Sequence, residues 1–248
     1  MAKVIKNRSH MKNDILFTNF RMIFQGIKFL ALAVLFIYIL ILQGRNRFIN
    51  SYMIMIYGIY TIYRIIYLSK KKNILKQCIE GEKNFLKLAE RLPKNYKVIH
   101  NLNLNYDGKK SKVDVVVVGD SGVFVIDIKN VTGTIKGNVY DEDLIQIKKT
   151  KEGDEFENKM FNPLPEVNSN SEKICAFLKE NHIYINVQSM VVFVDDNVNL
   201  DLNGTCPTAY FEINDSKENL FINYITNYNT DVHLSKYDKK NIVSLLCN

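Results

Sequence analysis

The chain has 248 residues, room for one ordinary domain plus an accessory segment, and its 47% hydrophobic content excludes wholesale disorder. The net charge of +7 invites a nucleic-acid reading, but the excess is local. Residues 1–80 hold 13 Lys+Arg against 2 Asp+Glu, and the remainder holds 20 against 24. Basicity therefore belongs to the N-terminal third and is no argument for nucleic-acid binding by the rest.

Two apolar stretches open the chain, at about residues 22–42 (core FLALAVLFIYILIL) and 48–68. A membrane-spanning helix needs roughly 20 such residues. Lys28 and Arg64 lie towards one side of this hairpin, where long side chains snorkel to an interface, and Tyr60, Tyr63 and Tyr67 suit an aromatic belt. Lys3, Lys6, Arg8, Lys12 and Arg21 precede the first stretch, Arg45 and Arg47 lie between the two, and Lys70, Lys71, Lys72 and Lys76 follow the second. That asymmetry predicts a two-span anchor over residues 1–78, with both termini and a soluble domain (79–248) in the cytoplasm. The competing reading is a buried helical hairpin of a soluble protein.

Residues 79–92 read as an amphipathic helix stopped by Pro93. Glu82 shares its inward face with Phe85, Leu86 and Ala89, at i, i+3, i+4 and i+7. Strands are expected at 96–104, 112–118 and 123–129, with Asp107-Gly108 as one turn and Gly119–Gly122 as the next. Symmetric pairing across the second turn sets residue i opposite 241−i. Val116 then faces Val125, and Asp114 faces Asp127. Lys129, two residues on, shares the face of Asp127.

Two carboxylates opposed on an apolar hairpin repel each other, and a divalent cation between them removes the conflict. Such a group, with a lysine at its rim, has the parts of metal-assisted phosphodiester hydrolysis. A solvated acidic edge balanced by Lys112 and Lys129 accounts for the same residues and stays open here. Further along, Gly133 and Gly137 bracket a turn, and 141–159 forms a peripheral hairpin. Asn162-Pro163 starts a helix to about Glu180 that carries Glu166, Asn170, Ile174 and Phe177 on one face. A buried strand at 188–194 and helices at about 215–227 and 235–246 complete the chain. Cys78, Cys175, Cys206 and Cys247 form no CxxC pair and read as free thiols.

The segments Gly81-Glu82, KVDVVVVGDSGVFVIDIKNVTGTIKG and Asn162-Pro163-Leu164 together resemble the nuclease-related domain (NERD) family. That family is placed among the restriction-endonuclease-like phosphodiesterases with a PD-(D/E)xK site. The resemblance covers about residues 79–195 and implies an α/β fold, with a central mixed sheet flanked by helices, behind the helical hairpin. It implies Asp114 and Asp127 as ligands of Mg²⁺ or Mn²⁺, with the Ile128 carbonyl as a possible third. Lys129 would position the attacking water and stabilise the transition state, and Glu82 would be a further acidic member of the catalytic group. Two positions depart from the family pattern: Glu166 stands where glutamine is usual, and Val115 where histidine is common. The expectation is a membrane-tethered, metal-dependent nuclease acting on DNA. The alternative is a weak or inactive domain that binds nucleic acid or a partner from the same anchor.

Overall fold

The structure, a computed structural model, describes residues 1–6, 11–42, 47–150, 152–213, 217–228 and 233–247. They form two compact units, Ser9–Ile79 on one hand and Met1–Arg8 with Glu80–Asn248 on the other. Strand β1 (Lys3–Lys6) is followed by helices α1 (Met11–Leu42) and α2 (Arg47–Ala89). Both helices are long and apolar enough to cross a membrane, and their most apolar windows are only 6% and 11% buried. Exposure of that order does not fit the core hairpin of a soluble protein. Arg8, Arg45 and the connection at 43–46 lie outside the described residues, as does Asp215.

The helix expected at 79–92 does not start anew. It is the last part of α2, which runs unbroken to Ala89. Nothing between 69 and 80 breaks a helix, and a single Gly81 costs only about 1 kcal/mol in one. The N-terminus brings a second difference. Residues 3–6, read as a basic flank of the first span, pair in parallel with β2 (Lys97–Tyr106), Lys3 opposite Lys97 and Lys6 opposite His100.

The unit Met1–Arg8 with Glu80–Asn248 is mixed α/β. After β2 come β3 (Lys109–Gly119), β4 (Gly122–Lys129), β5 (Gly133–Asn138), β6 (Asp143–Lys149), β7 (Glu155–Phe161), α3 (Leu164–Glu180), β8 (Val187–Phe193), β9 (Val198–Asn203), β10 (Ala209–Glu212), α4 (Glu218–Thr226) and α5 (Lys236–Cys247). Six strands make one sheet in the order β1-β2-β3-β4-β8-β10, and a second sheet runs β7-β6-β5-β9. In the large sheet β2, β3 and β4 pair antiparallel, while β1, β8 and β10 join in parallel.

Strands β3 and β4 are valine-rich because both faces of this sheet are covered. Val116, Val118, Val123 and Val125 pack with Val167, Ile174 and Leu178 of α3 and Ile242 of α5. Val115, Val117, Phe124 and Ile126 face the other layer, with Phe85, Leu86 and Ala89 of α2 and Phe221 and Ile225 of α4.

The expected turn between Gly133 and Gly137 is instead strand β5, whose Ile135 is fully buried. The glycines serve the strand. Gly133 has φ +91, and a Cβ there would lie 2.2 Å from the Ile147 carbonyl oxygen. The peripheral hairpin is present as β6–β7.

Candidate active site

The β3–β4 turn has two central residues, Asp120 and Ser121, and Val116 pairs with Val125 as the symmetric register requires. The ladder is regular from Gly119↔Gly122 to Val115↔Ile126 and then changes. Asp114 Oδ2 accepts a hydrogen bond from the main-chain N–H of Ile128, at 3.1 Å. On the other side of β3 the pairing with β2 skips one position, Asn101 opposite Asp114, where Asn101 takes φ +54. A non-glycine residue in that region marks a local distortion, of the kind that collects at functional sites. Asp114 thus sits where both of its ladders are interrupted, and its carboxylate replaces a main-chain acceptor.

Asp127 lies between Ile126 and Ile128, which pack towards α2, so alternation turns it to the α3 side. There Asp114, Asp127, Glu166, Val167 and Asn170 line a cleft of about 10 Å³, on the order of one water or one small ion. Asn170 ties α3 to the hairpin by donating to the Lys112 carbonyl at 3.3 Å. The helix is started by Asn162, whose Oδ1 accepts from Leu164 N at 3.0 Å and whose amide donates to the Val139 and Asp141 carbonyls.

Lys129 Nζ lies 2.9 Å from Asp127 Oδ2, with the two side chains 28% and 12% exposed. Burial pushes the Asp127 carboxyl up to about 7. The Lys129 ammonium works against that rise, and the charges of Asp114 and Glu166 add to it. For Lys129, burial alone would lower the pKa. Asp127, Glu166 and Asp114 outweigh it, and the ammonium is held above its ordinary value. One cation therefore faces three carboxylates. A protein carboxyl pushed to about neutrality by burial and by its own kind is one that a bound cation would stabilise.

Glu82 enters from the opposite layer. Its Oε2 is 2.9 Å from Nε2 of His100, a buried pair, and His100 in turn has the Asn101 amide 3.1 Å from that nitrogen. The structure therefore groups Asp114, Asp127 and Lys129 with Glu166 on the α3 side. Glu82 lies on the other side, paired with His100, whose neighbour Asn101 stands opposite Asp114 in the β2–β3 register. Neither His100 nor Asn101 has a sequence signal, because their role depends on a strand distortion. Glu82 Oε1 and Asn101 Oδ1 are buried without a hydrogen-bonding partner among the described residues.

No three His, Cys, Asp or Glu side chains among the described residues converge as a finished metal cage. The donor chemistry is all oxygen, however: two carboxylates, a third at the cleft mouth and orphaned buried acceptors behind Asp114. Hard cations take oxygen ligands, so the residues fit Mg²⁺ or Mn²⁺ better than a thiolate- or imidazole-seeking metal.

Gly81 shows how the helix is fitted to this site. A Cβ at Gly81 would fall 2.6 Å from the Asn130 Cβ and 3.2 Å from Val194. Only glycine lets α2 approach the end of β4 so closely, next to Lys129.

Residues 79–194 match the nuclease-related domain. This segment is a NERD domain. It contains the Gly81-Glu82 step, the β3–β4 hairpin and the start of α3, but not β1, β9, β10, α4 or α5. Over 60 residues the chain is 37% identical to an uncharacterized protein of Bacillus anthracis, covering 23% of this chain and 28% of that one. No solved structure matches the chain. A nuclease-related domain carries nucleic-acid chemistry as its coarse expectation, and the hairpin is where this NERD domain gathers its charged groups.

Proposed function

We propose that the protein is a membrane-tethered, divalent-metal-dependent nuclease that hydrolyses phosphodiester bonds in DNA. The observation that carries this reading is the Asp114–Asp127–Lys129 group on a rigid hairpin, with a carboxyl at about neutral pKa beside a lysine. Asp114 and Asp127 would hold the cation, and the Ile128 N–H keeps the Asp114 carboxylate turned towards the cleft. When bound, a divalent cation supplies Lewis-acid polarisation of the phosphate and a more acidic water. The reaction adds water across one P–O ester bond, leaving a phosphate monoester and a free hydroxyl. Lys129 contributes positive charge for the extra negative charge that develops on phosphorus-bound oxygens. Glu82, paired with His100 on the α2 side of the sheet, would be a further acidic member acting from that layer.

The anchor reading rests on two exposed apolar helices and the Lys/Arg asymmetry around them. The pairing of β1 with β2 supports an even number of crossings. Residues 3–6 and 97–100 share one sheet, as expected if both ends of the helical pair lie on one side.

A second reading has an observation of its own. Glu166 stands exposed at the cleft and raises the negative charge that an incoming phosphate meets, which favours a catalytically weak or inactive domain that binds a partner. Incubating the full chain in detergent with supercoiled plasmid separates the two. Nicking with Mg²⁺ or Mn²⁺, absent with chelator and reduced at least about 100-fold by Lys129→Ala or Asp127→Ala, is expected of the nuclease. No nicking with either metal, from a folded chain, would favour the inactive binding module instead.

A further inference from the structure

Among the described residues, strand β7 is the outer strand of the second sheet and pairs on one side alone, with β6. Of its seven residues, EFENKMF, all but Met160 are exposed. A strand edge of this length offers a row of unpaired N–H and C=O groups, and such rows are places where another strand adds. The β7 sequence is self-complementary when read antiparallel about Asn158. Glu157 then meets Lys159, Phe156 meets Met160 and Glu155 meets Phe161, each twice by symmetry. Glu157 and Lys159 pair with Ile147 and Ile145 of β6, so both point to one face, as a cross-strand ion pair requires. Phe156, Asn158 and Met160 share the other face, where a thioether against an aromatic ring is favourable.

We infer that β7 is a homodimerisation edge, two copies of this chain joining antiparallel at Asn158 into one continuous eight-stranded sheet. The charge pattern selects the register. A shift of two residues in either direction sets Glu157 opposite its own copy, or Lys159 opposite its own copy, and both are repulsive. The existing contacts of these residues, Lys159 with Asp143 at 3.4 Å and Glu155 with Lys149 at 3.1 Å, are exposed ion pairs of small value and do not block the edge. A two-fold axis makes the contact isologous and closed, so it ends at two copies. Seven paired residues are few for a stable dimer in free solution. Copies anchored in one bilayer, as proposed above, meet at a much raised effective concentration.

The test is a disulfide trap with the full chain. Asn158→Cys places the new thiols next to each other across the axis, and mild oxidation should give a covalent dimer well above the background from the four native cysteines. Within that variant, Glu157→Lys or Lys159→Glu alone sets like charges opposite and should lower trapping several-fold. The two reversals together restore opposite charges and should restore trapping. Tyr184→Cys, also exposed but outside β7, should stay at background. Circular dichroism spectra matching the parent show that a variant is folded. Trapping that ignores the single reversals, or is not rescued by the double reversal, overturns the interface. Plasmid nicking and membrane fractionation are separate readouts, so failure here leaves the proposed chemistry standing.

Discussion

Asp127 is the residue whose environment departs furthest from that of a surface carboxylate. Its folded pKa of about 7 lies above the roughly 3.9 of an unfolded aspartate. Between those values the folded state binds the extra proton, so stability falls as pH rises from about 4 to about 7 and is level above that. The slope from this one group is at most about 1.4 kcal/mol per pH unit. Thermal melts of the full chain in chelator, from pH 4 to 8, should show the decline. Asp127→Asn should flatten it and melt a few degrees higher at pH 8. Mg²⁺ should raise the melting temperature of the parent at pH 8 and that of the variant much less. Identical pH profiles for the two proteins would mean that the carboxyl is not held in this way. Asp114 behaves differently, because its carboxylate is occupied by the Ile128 N–H. Relief of like charge is therefore offset there by a weakened main-chain contact.

At the scale of elements, the two-residue turn at Asp120-Ser121 and the unbroken pairing behind it set the site. The turn is itself braced, since Lys239 of α5 forms an ion pair with Asp120 and Tyr96 bonds Ser121 at 2.9 Å. The other decisive element is β1. Ala2 N donates to the Glu90 carbonyl and Lys3 N to that of Tyr96, both at 3.2 Å, so the first residues tie the end of α2 to β2. Removing residues 2–6 should bare the β2 edge and lower the melting temperature of the α/β unit by several degrees, a loss of order 1–2 kcal/mol. An unchanged melt would show that β1 is dispensable. A domain beginning at residue 79 carries the same defect, because it starts after its own edge strand.

For the whole molecule, the proposed two-span anchor and the pairing of β1 with β2 lead to one expectation: both termini on the same side of the membrane. Reporter fusions before Met1 and after residue 248 should both be active in the cytoplasm, and an insertion within 43–46 should report the outside. Activity of the two terminal fusions on opposite sides would contradict both the charge asymmetry and the sheet.

Some of this was open to inspection of the chain alone, for a physical reason. Apolar length, lysine placement, strand alternation and turn residues are local properties, so the two long helices, the β3–β4 register and the start of α3 follow from short stretches. The Asp114–Asp127 neighbourhood was legible because a short turn leaves little choice of pairing. Non-local contacts decided the rest. Residues 3–6 are too few and too polar to announce a strand, and only the free edge of β2 makes them one. Gly133–Asn138 looks like a turn until the Ile147 carbonyl and the core around Ile135 claim it. Glu82 reads as a helix residue facing inward, but its meeting with His100 depends on α2 packing against β2, which lies beyond Pro93 in the chain. Glu166 joins the site because α3 crosses the hairpin at Asn170. Packing between segments far apart in the chain made those choices, and no window of the sequence contains both partners.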